Sequence, residues 1–120
     1  MKLKIYRMYS TSEIQAIMQE WREKNFLHAT RTVEMQTLGV CEEAGELAHA
    51  VLKHKQGIRG YDDEKYRAEV RDAIGDMIIF AMGICSTEGW DIEDIIRETA
   101  CKVLERNWND NPEGPKDEIG

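Results

Sequence analysis

The stretch that decides the fold reads Cys41-Glu42-Glu43-Ala44-Gly45-Glu46-Leu47, and a later stretch answers it with Glu69-Val70-Arg71-Asp72-Ala73-Ile74-Gly75-Asp76. In both stretches, carboxylates recur three or four residues apart among apolar residues that keep the same spacing. Residues at this spacing share one face of an α-helix. Two such faces turned towards each other would form a metal site made of carboxylates.

Outward from these stretches, apolar residues keep helical spacing along four segments, and nothing alternates with a period of two beyond the first few residues. The pattern predicts an all-α fold, a bundle of four helices. The predicted helices run from a cap at Thr11 or Ser12 to about Phe26, from a cap at Thr30 to about Lys55, from about Asp63 to Thr87, and from a cap at Asp91 through Leu104. Gly57 and Gly60 predict a loop over residues 56–63.

The third predicted helix is apolar on two sides. Its main apolar arc consists of Val70, Ile74, Met77, Ile78, Ala81 and Cys85. Ile79 and Met82 add apolar surface on the far side. Because one short chain cannot cover both sides, we expect a homodimer or a dimer of dimers, that is, a homotetramer.

Length and composition limit the class of protein. The 120 residues predict one helical domain over residues 1–108, followed by a poorly ordered tail over residues 109–120 that holds both prolines. The net charge of -7 argues against a nucleic-acid partner, because such surfaces are rich in Lys and Arg. Three widely spaced cysteines, and the lack of a long apolar run, predict a cytoplasmic protein with reduced thiols and no membrane partner.

The acids of both stretches border the apolar side of their helices. Glu42, Glu43 and Glu46 span about 100° of the helical wheel, and Glu69, Asp72 and Asp76 span roughly 60°. Carboxylates brought together beside a core repel one another unless they are protonated or neutralised. Mg²⁺, or Mn²⁺, prefers carboxylate oxygens and would resolve the conflict. The alternative is a solvated acidic face that only confers solubility.

Residue types with poor helix propensity strengthen the metal interpretation. Asp72 and Asp76 lie inside a helix although Asp is a poor interior helix former. Gly45 and Gly75 each cost up to about 1 kcal/mol relative to Ala. Close helix approach, or room for a ligand, would explain both glycines.

Two of these segments resemble a known family. Glu-Glu-Ala-Gly-Glu-Leu at 42–47 and Gly-Asp-Met-Ile-Ile-Phe at 75–80 resemble the MazG-type all-α nucleoside triphosphate pyrophosphohydrolases, and the resemblance covers roughly Trp21 to Trp108. The family pattern is Glu-Glu-x-x-Glu on one helix and Glu-x-x-Asp on the next, which together bind Mg²⁺. Here Ala73 stands three residues before Asp76, where the family has Glu. Either Asp72 replaces that ligand or one metal position is weaker.

The resemblance implies hydrolysis of nucleoside triphosphates, canonical, deoxy or modified, to the monophosphate and pyrophosphate. It implies a Mg²⁺ site made of Glu43, Glu46, Asp72 and Asp76. Glu42 becomes the candidate catalytic residue, which orients a water or takes its proton. Glu69 is a further candidate metal ligand, or alternatively a surface partner of Arg71 or Lys65.

Other residues are candidates for holding the rest of a triphosphate. Lys102 and Arg106 share a helical face and could grip the phosphates, with Lys55 from the loop, although a solvated stripe is the alternative. Trp21 and Asn25 resemble base-pocket residues of relatives, while Trp21 could equally be plain core.

The same residues are also compatible with two other functions. Phosphoribosyl-ATP pyrophosphohydrolases cleave a modified nucleotide at the equivalent bond. A non-catalytic helical module could instead use the acids to bind a regulatory cation or a basic partner. Release of pyrophosphate separates the enzymes from the module.

Overall fold

The computed structural model describes residues 8–114, which fold into four α-helices. These are α1 (Thr11–Asn25), α2 (Val33–Gln56), α3 (Asp63–Glu88) and α4 (Ile92–Glu105), and a short 3₁₀-helix at His28–Thr30 lies between α1 and α2. Residues 8–114 contain no strand. The predicted all-α fold is therefore confirmed.

Two of the predicted helix caps are wrong. Ser10 caps α1, because its hydroxyl accepts from Glu13 N while the Glu13 carboxylate accepts from Ser10 N, a reciprocal capping box. Thr32 caps α2. The hydroxyl of Thr30 instead donates to Leu27 O at 2.8 Å within the 3₁₀ turn, so this residue is not available as the cap. The predicted cap at Asp91 is confirmed.

The pair α2 and α3 is the centre of the fold. Six residues join the two helices, a connection short enough to leave them as packed neighbours. Ala50 of α2 and Ala73 of α3 are both buried, and small residues of this kind allow two helices to approach closely. These two helices carry the two acidic stretches, residues 41–47 in α2 and residues 69–76 in α3.

α1 packs against α3 and α4, and the buried side chain of Gln15 fixes the junction. The amide of Gln15 donates to Trp90 O at 2.8 Å, and its oxygen accepts from Ile92 N at 2.8 Å. The Ser12 hydroxyl also donates to the carboxylate of Asp91 at 2.8 Å. The two bonds of Gln15 satisfy backbone groups between α3 and α4 that would otherwise lie unpaired.

The apolar core is small and lies where α1, α3 and α4 meet. Met82, Cys85 and Ile92 form it, with Ile14 and Ile79 packed against them. Burial raises the pKa of the Cys85 thiol, so this cysteine is protonated and packs as a small apolar group.

The two apolar sides predicted for α3 are covered unequally. Ile74 and Ile78 of the main apolar arc are exposed, whereas Met82 on the far side is buried. The reason is that α1 and α4 cover the side of α3 that carries Met82. Apolar residues also remain exposed on the other helices of the described chain, among them Leu38, Leu52, Ile96, Val103 and Leu104.

None of the described helices is long and apolar enough to cross a membrane. After α4, the Asn107 side chain accepts from Asn109 N and Asp110 N at 3.1 Å each and forms a turn. The predicted tail over 109–120 stays a prediction, since residues 115–120 lie outside the described part of the chain.

Candidate metal centre and adjoining cleft

Three carboxylates of α2 converge in one place. Glu42, Glu43 and Glu46 each offer one oxygen, and these oxygens all lie within 4.8 Å of one another. Their spacing along a regular helix places them on one face, as the sequence predicts. Glu42 and Glu46 are exposed, whereas Glu43 is only 7 % exposed and faces α3.

Glu43 is the electrostatic centre of the cluster. Its Oε2 is buried and has no hydrogen-bond partner within the described chain. Burial raises the pKa of Glu43, and the charges of Glu46, Asp76, Glu42 and Asp72 raise it further, in that order. A buried carboxylate among four others is costly unless a proton or a cation neutralises it.

Two acids of α3 lie near this cluster, although the group of oxygens within 4.8 Å of one another is formed by the three α2 glutamates. Asp72 and Asp76 both lie close enough to act on the Glu43 charge. Ala73, one residue after Asp72 and three before Asp76, is only 2 % exposed. A methyl group here fills space without offering an oxygen, so the α3 oxygens nearest to Glu43 are those of the two aspartates.

Glu69 is held by a hydrogen bond. The Tyr61 hydroxyl donates to Glu69 Oε2 at 2.6 Å, and this bond is the main reason why the pKa of Tyr61 is raised. His49, three residues after Glu46, packs its ring edge-on against Tyr61, with ring centroids 5.6 Å apart. Among the described residues, Glu69 forms no ion pair with Arg71 or Lys65.

The donor set fits a hard divalent cation. Oxygens on opposite sides of an octahedral Mg²⁺ are about 4.2 Å apart, so small side-chain rotations would bring the Glu42, Glu43 and Glu46 oxygens to ligand distance. The unpartnered Oε2 of Glu43 supplies the second argument, because a cation would satisfy it. Carboxylate oxygens are the ligands that Mg²⁺ and Mn²⁺ prefer.

A cleft of about 770 Å³ adjoins the carboxylates. Glu42, Glu43 and Asp76 belong to its lining, while the remainder is mostly apolar. The apolar lining includes Met18, Trp21, Phe26, Met35, Leu38, Ile79 and Phe80. The volume suits a ligand of nucleotide size, since small-molecule sites occupy roughly 300–1,000 Å³.

Two aromatic rings are partly exposed at this cleft. Trp21 of α1 meets Phe26 edge-on, with ring centroids 5.6 Å apart and planes at 73°. Trp21 is 48 % exposed, so it is not the plain core residue that was the alternative reading of the sequence. An exposed indole ring beside a cleft can stack on a flat ligand.

Sequence reasoning missed the residues on which the cleft is built. Phe80 of α3 lies against Gly39 of α2, where a Cβ would come within 2.4 Å of the ring. Reciprocally, Gln36 of α2 lies against Gly83 of α3, where a Cβ would come within 2.3 Å of Oε1. Gly39 and Gly83 were the signal of this close contact that the sequence offered. By contrast, a Cβ on Gly45 or Gly75 would meet nothing within 4 Å, so close helix approach is the wrong explanation for these two.

Four residues predicted to bind the base or the phosphates do not line the cleft: Asn25, Lys55, Lys102 and Arg106. Asn25 uses its amide to donate to Trp21 O at 2.8 Å. Lys55 is exposed near the end of α2, and Lys102 is exposed on α4. Arg106 is the C-cap residue of α4. Their roles in binding stay predictions.

Comparison with known proteins gives one match. The model of the MazG nucleotide pyrophosphohydrolase domain matches residues 31–109, well over half of the chain. The match contains every candidate metal ligand and all of α2, α3 and α4, whereas Trp21 and Arg22 of α1 precede it. No curated protein matches the chain significantly.

Proposed function

Because the chain belongs to the MazG nucleotide pyrophosphohydrolase family, we propose that it hydrolyses nucleoside triphosphates to the monophosphate and pyrophosphate with the help of Mg²⁺ or Mn²⁺. The single observation that carries this proposal is the buried Glu43 oxygen, unpartnered within the described chain, among four other carboxylates in the lining and neighbourhood of a nucleotide-sized cleft. Such an arrangement holds a cation where a triphosphate attached to a bound nucleoside would reach it.

In this proposal the metal ligands are Glu43, Glu46, Asp72 and Asp76. A bound cation would neutralise triphosphate charge and increase the acidity of a bound water. Glu69 remains a candidate ligand, but its hydrogen bond to Tyr61 supports a role in holding the loop between α2 and α3 onto α3.

Glu42 is proposed as the residue that orients the attacking water and takes its proton. It is exposed, belongs to the acidic trio and lines the cleft, so it can reach both water and substrate. The water oxygen forms a bond to the α phosphorus while the bond from that phosphorus to the bridging oxygen breaks. Pyrophosphate leaves with the electron pair, and the proton passes to the Glu42 carboxylate.

The nucleoside end of the substrate is proposed to enter the apolar part of the cleft. Trp21 offers a flat face on which a base can stack. Asn25 remains a weaker candidate for base binding, since its amide already donates to the backbone of Trp21.

Assembly is the second part of the proposal. Apolar side chains are exposed on two helices: Ile74 and Ile78 of α3, and Ile96, Val103 and Leu104 of α4. Exposed apolar surfaces of this kind mark interfaces with other proteins. We therefore propose a homodimer or homotetramer, in which α4 of a neighbouring copy brings Lys102 and Arg106 towards the triphosphate. Lys55, on its own chain, is the further candidate. Light scattering coupled to size exclusion tests this: a monodisperse monomer at micromolar concentration would refute it.

Pyrophosphate release tests the activity. Purified protein is incubated with canonical, deoxy and modified triphosphates and with phosphoribosyl-ATP, each with Mg²⁺ and with a chelator. We expect metal-dependent release of pyrophosphate from triphosphates, and loss of activity in Glu46→Ala. If no nucleotide is cleaved and Glu46→Ala leaves metal binding unchanged, the proposed function fails and a non-catalytic module becomes the better explanation.

A further inference from the structure

The wall of the cleft contains a buried amide that the proposed function does not use. Gln36 is 5 % exposed and lines the cleft, yet its Oε1 is buried without a hydrogen-bond partner in the described chain. Leaving a buried acceptor unpaired is unfavourable, by the desolvation of that group. The contact with Gly83 holds the amide in this position, since any side chain at residue 83 would displace it.

A buried cation lies beside this amide. Arg22 of α1 is 4 % exposed and lines the same cleft. Its guanidinium donates to Ile79 O and to Gln19 Oε1, and it forms no ion pair with a carboxylate of residues 8–114. Burial lowers its pKa from the ordinary value, as expected where no anion compensates the charge.

The two groups converge on one point. The position that a Cβ of residue 83 would take is 2.3 Å from Gln36 Oε1 and 3.2 Å from Arg22 Cζ. An acceptor in need of a donor therefore lies next to a cation with further N–H groups to donate.

We propose that Gln36 and Arg22 select the base of the substrate, and that they favour bases with a lactam edge, a ring N–H next to a carbonyl. The proposal rests on the proposed function, because it assumes that a nucleotide occupies this cleft. Uracil, thymine, guanine and hypoxanthine have this edge. The ring N–H donates to Gln36 Oε1, and the carbonyl oxygen accepts from the Arg22 guanidinium.

Adenine and cytosine match this pair less well. Their NH₂ group can donate to Gln36 Oε1, but the guanidinium then meets a ring nitrogen with one lone pair instead of a carbonyl oxygen with two. A charge-assisted bond from a guanidinium to oxygen is among the stronger hydrogen bonds in proteins. Trp21 would stack on any base, so it supplies affinity without this preference.

A structural role for Gln36 makes a different prediction from base selection. If the amide only supports Arg22 or the helix interface, Gln36→Met lowers the melting temperature and weakens all nucleotides alike. If the amide oxygen is unpaired until a base binds, Gln36→Met removes an unsatisfied acceptor from the nucleotide-free protein, so the melting temperature stays the same or rises. The matched control is Gln56→Met, which makes the same change at the end of α2, outside the cleft.

The experiment measures binding of non-hydrolysable α,β-methylene triphosphates of uridine, guanosine, cytidine and adenosine by calorimetry with Mg²⁺. We expect the uridine and guanosine analogues to bind wild type and Gln56→Met about 10-fold more tightly than the other two. Gln36→Met should abolish this difference without a fall in melting temperature.

Equal affinity for all four analogues, no binding of any, or a uniform loss with a lower melting temperature in Gln36→Met would overturn the proposal. If wild type cleaves triphosphates without base preference, base selection fails while the proposed function stands. If it cleaves none but binds the lactam analogues selectively, the activity fails while the selection stands.

Discussion

The amide of Gln36 in α2 lies directly against the backbone of Gly83 in α3, and Phe80 in α3 lies in the same way against Gly39 in α2. Each helix thus has a glycine against which a side chain of the other helix packs. At both glycines the two helices that carry the acids approach each other closely. This reciprocal contact also shapes the wall of the cleft.

The first prediction concerns this contact. Gly39→Ala places a methyl group 2.4 Å from the Phe80 ring, which must move or force the helices apart. We expect the free energy of unfolding to fall by about 1–3 kcal/mol in urea denaturation, the usual cost of overpacking. The control is Gly45→Ala on the same helix, where a Cβ meets nothing within 4 Å. That change should raise stability by up to about 1 kcal/mol. Equal effects of the two changes would show that the contact does not set the helix spacing.

The second prediction concerns the buried carboxylate. Glu43→Gln removes one charge from a cluster of repelling acids. Without metal, we expect this variant to be more stable than wild type by about 1 kcal/mol. Mg²⁺ should raise the melting temperature of wild type but not that of the variant. Glu98→Gln, an exposed change on α4, should alter neither value. A variant that Mg²⁺ stabilises as strongly as wild type would exclude Glu43 as a ligand.

The third prediction is a pH dependence of the metal-free protein. The pKa of Glu43 is higher in the folded than in the unfolded state. At pH values between these two pKa values, the folded state therefore binds more protons than the unfolded state. The free energy of unfolding consequently rises as pH falls through the folded-state pKa of Glu43, and it falls again as pH rises. Urea titrations with a chelator, between about pH 8 and about pH 5, should show that wild type gains more stability on acidification than Glu43→Gln. Parallel curves for the two proteins would contradict the repulsion that we infer.

The fourth prediction separates the acids of α3. Asp72→Asn should raise the Mg²⁺ concentration needed for half-maximal activity by about 10-fold, if Asp72 replaces the ligand that Ala73 lacks. Glu69→Gln is the comparison, since Glu69 already accepts a hydrogen bond from Tyr61. It should change the Mg²⁺ requirement little. Near-normal Mg²⁺ dependence in Asp72→Asn would show that the missing ligand has no replacement there.

Much of the architecture could be predicted from sequence because helix periodicity is local information. The intervals of Glu42, Glu43 and Glu46 place them on one face whatever the helix packs against. The exposed side of α3 could not be predicted, because Ile74 and Met82 are equally apolar and only the positions of α1 and α4 decide which is covered. Gln36 and Arg22 were missed for a related reason. A polar residue is expected at the surface unless the packing partners that bury it are known.

The central claim, cleavage between the α and β phosphorus, is tested most directly by hydrolysis in ¹⁸O-labelled water. The nucleoside triphosphates of the activity panel are incubated with the protein and Mg²⁺, and the products are analysed by mass spectrometry. Attack at the α phosphorus predicts one ¹⁸O atom in the nucleoside monophosphate and unlabelled pyrophosphate, with no reaction when Mg²⁺ is chelated. Label in pyrophosphate or in orthophosphate, or a nucleoside diphosphate product, would contradict it.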